Sequence, residues 1–244
     1  MSPLQSTCNA RKENAPNKSP LPTGISSVTS PQPLRFRPAA GLDVRRNMKP
    51  ELIKALHRRI ASTSIGASTA RGMGPGGTVA AARRFLADLS LARFRCRSAG
   101  SFQRTLDRVT DEYVEELPRG ARHWGAARKF LNIFLRHVVY SRYLCEEYRL
   151  AHIVPWLEVP LDSHTALGLR GERGGSSLPR WRTVIGLDAA RSSRYQDFAA
   201  EVASRMGYER VHLDLLYWRR EQNGEQFDGA NRAPRSRAGR GSSS

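Results

Sequence analysis

Two short segments carry the side chains best suited to chemistry: Gly125-Ala126-Ala127-Arg128-Lys129-Phe130-Leu131-Asn132 and Val159-Pro160-Leu161-Asp162-Ser163-His164-Thr165-Ala166. Lys129 stands apart by composition, because only 5 of the 40 basic residues are lysines and none follows Lys54 except this one. A lysine taken out of water loses its proton more readily, and the neutral amine is a nucleophile that can form a Schiff base. The alternative is an ordinary cation on a helix surface. Asp162 follows Pro160 at what reads as a helix start, where an aspartate normally accepts a bond from the first turn. Capping occupies one carboxylate oxygen and leaves the second for another partner.

The elements that must position these groups are helical. Leu52, Leu56 and Ile60 repeat every four residues after Pro50, and Val79, Ala82, Phe85 and Leu89 follow Thr78 as a cap. Gly72-Met73-Gly74-Pro75-Gly76-Gly77 breaks the chain between them; it is read as a loop, since no Lys-Ser/Thr pair completes a nucleotide-binding motif. Phe102, Leu106, Val109, Tyr113 and Leu117 line one face of a helix capped by Ser101. After Leu117-Pro118-Arg119-Gly120 a second helix is expected from about His123 to Tyr148, with Trp124, Leu131, Phe134 and Val138 inward. Further helices are expected from Asp162, from Asp188 to Met206 and from Val211 to Trp218, with Arg182 to Leu187 as the one plausible strand. The fold class is therefore mainly α, in a domain spanning 48–218 that divides, if at all, into 48–100 and 101–218. Residues 1–47 and 219–244, rich in Ser, Pro, Arg and Gly, read as disordered basic tails.

The charge names the partner. A net charge of +18 exceeds what solubility requires. It is not confined to the ends, since residues 49–218 hold 27 bases and 17 acids. A polyanion is expected, DNA or RNA ahead of membrane, because no amphipathic basic helix with an apolar anchor appears. No apolar run reaches the length of a membrane span and no signal peptide is evident, so a cytoplasmic, nucleoid-associated monomer is expected. Cys8, Cys96 and Cys145 are odd in number and far apart, and the six histidines are scattered. No disulfide framework, metal or iron–sulfur cluster is expected, and no cofactor.

Taken in order, the two segments resemble the core of the helix-hairpin-helix DNA glycosylase superfamily, which includes endonuclease III and the oxoguanine glycosylases. In that family a Leu-Pro-x-Gly turn leads to a Gly-x-Gly-Arg-Lys-x-x-Asn hairpin that grips a phosphate, and a later segment opens a helix with an aspartate. Leu117, Pro118 and Gly120 match the turn; Gly125, Arg128, Lys129 and Asn132 match the hairpin; Asp162 and His164 match the aspartate segment. Extra residues precede Gly125, Ala127 replaces the second glycine, and the spacing from Lys129 to Asp162 is closer to the archaeal oxoguanine branch.

The resemblance implies a helical enzyme acting on duplex DNA with a damaged or modified base, including modified bases of invading phage DNA. Lys129 would be the Schiff-base nucleophile and Asp162 the activating carboxylate. Gly120, Arg122, Gly125, Arg128, Asn132 and His164 would contact DNA, and Trp124, Trp156 and Trp181 would wall the pocket of a flipped base. The alternatives are a non-catalytic helix-hairpin-helix module that holds DNA only by phosphates, and an RNA-binding protein of the translation machinery.

Overall fold

A computed structural model describes residues 48–217, and all of them belong to one unit. Both expected tails and Trp218 lie outside the described residues. Eight α-helices are found among the described residues: α1 (Pro50–Ser64), α2 (Thr78–Asp88), α3 (Ala99–Glu116), α4 (Trp124–Tyr140), α5 (Arg142–Glu147), α6 (Ser163–Gly171), α7 (Ala189–Met206) and α8 (Leu213–Tyr217). No strand is found among them. None of these helices is long and apolar enough to cross a membrane.

Caps explain the boundaries. Ser98 and Ser101 bond reciprocally across the first turn of α3, so Ser98 is the cap and the helix starts earlier than the apolar stripe alone indicates. Asp188 accepts from the Arg191 amide to open α7, which ends at Gly207 with φ 74°. At α2 the expected Thr78 cap gives way to Gly77 with φ 88°, and the Thr78 hydroxyl donates to the Pro75 carbonyl instead. The long helix expected after His123 is interrupted at Ser141, whose extended backbone turns Leu144 into the core.

Arg182–Leu187 is not a strand. Its buried residues, Val184 and Leu187, are three apart rather than two. Its local bonds run Gly186 N–H to the Thr183 hydroxyl and Leu187 N–H to the Val184 carbonyl, closing turns and leaving no ladder.

The core falls into two clusters. Leu86, Phe94, Phe102, Leu106, Tyr113, Phe130 and Phe134 belong to one, built by α1–α5; Leu161, Leu169, Tyr195, Val202 and Leu213 belong to the other, built by α6–α8. In the first cluster α1 and α2 pack on α4 and α3, and Val184 and Val211 from later in the chain belong to it as well. Trp181 touches both clusters.

Helix α4 is central: it packs on α1, α3, α5 and α7, and Gly125 through Asn132 are all buried. Gly125 lies against the Val184 carbonyl and Leu187, with no room for a Cβ. Gly125→Ala is expected to destabilise by about 1–3 kcal/mol through overpacking, read as a lowered urea midpoint at unchanged slope.

Candidate active site

The two chemistry-bearing segments meet. Lys129 Nζ lies 3.6 Å from Asp162 Oδ2, with the Lys129 side chain 8% exposed and that of Asp162 22%. Lys129 comes from the second turn of α4, and Asp162 is the N-cap of α6, its Oδ1 accepting from the Thr165 amide at 3.0 Å. Capping therefore fixes one oxygen and turns the other to the amine. The amine also donates to the Thr69 carbonyl at 3.4 Å, in the loop between α1 and α2. Burial pushes the Lys129 pKa down and Asp162 pulls against it; burial wins, so the neutral amine is more accessible than in water.

Three loops bear on this pair, two through contacts at or beside it and one by packing on the first. One is the Gly66–Gly77 segment that supplies Thr69; it docks on the α3–α4 connection, where Gly74 sits against Ala121 and Gly120 against Pro75. The second is that connection, Leu117–His123, folded by bonds from Ala121 N–H to the Pro118 carbonyl and His123 N–H to the Ala121 carbonyl. The third runs through Trp181, whose indole N–H donates to the Ser163 hydroxyl beside Asp162 at 3.3 Å. Arg71, Arg119, Arg180 and Arg182 are exposed on these loops.

Several expected DNA contacts have other work. The Arg128 guanidinium, 3% exposed, bonds Glu158, Asp107 and Thr110 and lies 5.0 Å above the Trp124 ring. Burial opposes its charge, but Glu158 and Asp107 more than offset this. Asn132 donates to the same Glu158 carboxylate at 3.0 Å. Burial pushes the Glu158 pKa up, yet Arg128 and Asn132 outweigh it and keep it a carboxylate. Arg128 and Asn132 thus satisfy a buried anion rather than a phosphate. Gly125 serves close packing, and Arg122 is tied to Glu115 at 2.7 Å and to the Leu117 carbonyl, which holds the turn. Gly120 and His164 are exposed.

The tryptophans also divide. Trp181 is half-buried beside Asp162 and edge-on to Tyr195 at 5.6 Å. Trp124 is half-buried under Arg128. Trp156 stands in a 3-10 turn and, partly buried, packs on Phe102 and His152 at the margin of the first core cluster, so its ring serves packing there rather than a pocket wall.

No family model, curated protein or solved structure matches this chain.

Sequence reasoning passes over Thr69, Glu158, Thr165, Arg136 and Asp214. Of these only Glu158 leaves a signal, a lone acid in the apolar run Trp156-Leu157-Glu158-Val159. Two turns of α4 beyond Lys129, the buried Arg136 is ion-paired with Asp214 of α8, and Asp214 also accepts from the Thr165 hydroxyl at 3.3 Å. Arg136 donates to His137 Nε2 at 3.1 Å, so the neutral ring carries its proton on Nδ1 and gives it to Ser64 Oγ at 2.9 Å. The Ser64 hydroxyl in turn donates to the Ile60 carbonyl.

Burial, and then Arg136, lower the His137 pKa from 6.5 to about 4. In that window the unfolded chain binds a proton that the folded chain refuses, so stability falls as pH falls and is unaffected above the window. With its partial exposure discounted, His137 is expected to account for about 2 kcal/mol of acid destabilisation. Urea midpoints at pH 7.5 and pH 5 should differ less in His137→Gln than in wild type. The comparison removes the parallel effect of His57, which burial also shifts down.

Proposed function

We propose that this chain is a DNA glycosylase with lyase activity, working through Lys129 and Asp162 on a helix-hairpin-helix scaffold. The observation that carries the reading is the 3.6 Å meeting of an amine and a carboxylate that are far apart in sequence, the amine nearly buried and the carboxylate partly exposed. The order of parts agrees with the resemblance: a helix, a Leu-Pro-x-Gly turn, a helix bearing the lysine, and a later helix capped by the aspartate. Exposed arginines on these three loops would suit a phosphodiester backbone, which rewards cations.

The chemistry follows from the two groups. Lys129 attacks C1′ of an extruded nucleotide as the neutral amine that burial favours and, once the new bond has formed, passes its surplus proton to Asp162. The C1′–base bond breaks with its electron pair going to the base, which takes a proton from solvent. Ring opening, in which O4′ leaves C1′ and is protonated, gives the Schiff base; loss of a C2′ proton then expels the 3′-phosphate. Asp162 also offsets the positive charge that builds on the sugar as the base departs. Trp181, whose indole N–H reaches Ser163, would stack on the extruded base.

The test is to incubate the protein with a panel of duplexes, each holding one oxidised, alkylated or otherwise modified base, and to reduce with borohydride. A covalent protein–DNA adduct on at least one duplex is expected. Salt-sensitive binding to every duplex, with neither base release nor adduct, would replace the enzyme by a non-catalytic DNA binder. Tighter binding to structured RNA than to any duplex would replace DNA as the partner.

A further inference from the structure

We propose that Asp214 is a positioning residue that reserves Asp162 for Lys129, by holding the Arg136 guanidinium that would otherwise capture the Asp162 carboxylate. The inference rests on the glycosylase reading for its consequence in catalysis, but not for its structural content.

Four charged groups lie in one neighbourhood. Lys129 and Arg136 are seven residues apart on α4, so both lie on one face, and both are buried. Asp162 faces the first and Asp214 the second. The two acids are joined through Thr165, whose amide donates to Asp162 and whose hydroxyl donates to Asp214. The other groups facing Arg136 are Tyr140 and His137 of its own helix; Tyr140 is bonded to His212 at 2.6 Å, and His137 to Ser64 of α1. Burial is the largest influence on Arg136, and the Tyr140 hydroxyl and Asp162 oppose it, so Asp162 lies within its electrostatic reach. For Lys129 the charged neighbour is Asp162, with the Thr69 carbonyl as its other acceptor.

The contact between Lys129 and Asp162 is loose. At 3.6 Å it exceeds a good hydrogen bond, and an amine offers a single point of attachment where a guanidinium offers a fork. A buried guanidinium does not remain unpaired. If its acid is removed, the other carboxylate that acts on Arg136 among the described residues is Asp162. Sequestration by Asp214 is what leaves the second Asp162 oxygen pointed at the amine.

This gives a sign that a purely structural role does not. When Arg136 takes Asp162, Lys129 loses the anion that faces it while staying buried, and its titration moves further below the usual lysine value. When Asp214 only supports the fold, its loss opens the pocket to water and Lys129 moves up toward 10.5.

The experiment uses the full chain labelled with [13Cε]lysine. Its five lysines give few signals, and Lys129 is assigned by the peak lost in Lys129→Gln. In Asp214→Asn the Lys129 midpoint is expected to fall by about one pH unit. In the double variant Arg136→Gln with Asp214→Asn the competitor is gone and the midpoint should return close to wild type. Should Asp214→Asn not fold, Asp214→Glu moves the charge by one methylene and is expected to shift the midpoint in the same direction by less. An upward or unchanged midpoint, or no return in the double variant, overturns the proposal.

Single-turnover base release supplies the second arm. It is expected to fall about 10–100-fold in Asp214→Asn with duplex affinity kept, and to recover in the double variant. If wild type releases no base from any duplex, the enzymatic reading fails alone, and the titration still decides the reservation of Asp162.

Discussion

In Lys129→Gln the borohydride adduct is expected to disappear and strand cleavage with it, while duplex binding stays within a few-fold of wild type. Glutamine fills similar space but cannot form an imine. Base release itself should fall by about 10³-fold, leaving the residue that Asp162 can support by activating water. Stability supplies the control. Burial holds the Lys129 pKa below the ordinary value, so the folded state disfavours its ammonium and the cost is present at every pH below about 10.5. A neutral side chain removes that cost, so Lys129→Gln should unfold at an equal or higher denaturant concentration. A residue kept for packing would lose stability on substitution; one held against its own solvation for chemistry would lose activity and keep or gain stability. An adduct that persists in Lys129→Gln would exclude this lysine as the nucleophile.

The legible part of this molecule is the part written in local pattern. Helical periodicity placed α3 and α7 to within a few residues, because each buries a continuous apolar stripe such as Phe102, Leu106, Val109 and Tyr113, and it placed the start of α4 but not its end. What local pattern hides is partnership. Arg128 and Asn132 look like DNA-facing polar residues on a helix, and only the fold reveals that Glu158, some thirty positions away, turns them inward. The same blindness covers Arg136 and Asp214, whose pairing depends on α8 returning to α4. The Ser98 cap and the break at Ser141 escaped for another reason: helix ends are set by one or two hydrogen bonds, which apolar spacing does not record. Lys129 and Asp162 could be singled out because each is unusual in its own segment, one as a lone lysine among arginines and the other as a cap after a proline.

Asp162→Asn separates the two halves of the proposed reaction. Asparagine keeps the cap, since its side-chain oxygen can still accept from the Thr165 amide, so α6 should remain in place. What it lacks is charge. Departure of the base builds positive charge on the sugar, and without a carboxylate facing it base release is expected to fall by about 10²–10⁴-fold. The amine, however, becomes more available: Asp162 is what favours the ammonium against burial, and with that charge gone Lys129 titrates lower still. On a duplex whose base has already been removed, the sugar aldehyde needs only a neutral amine. Asp162→Asn should therefore trap on a preformed abasic site within about tenfold of wild type while failing on the intact modified base. Equal losses on both substrates would mean that Asp162 only positions the lysine, and no loss on either would return it to the role of a helix cap.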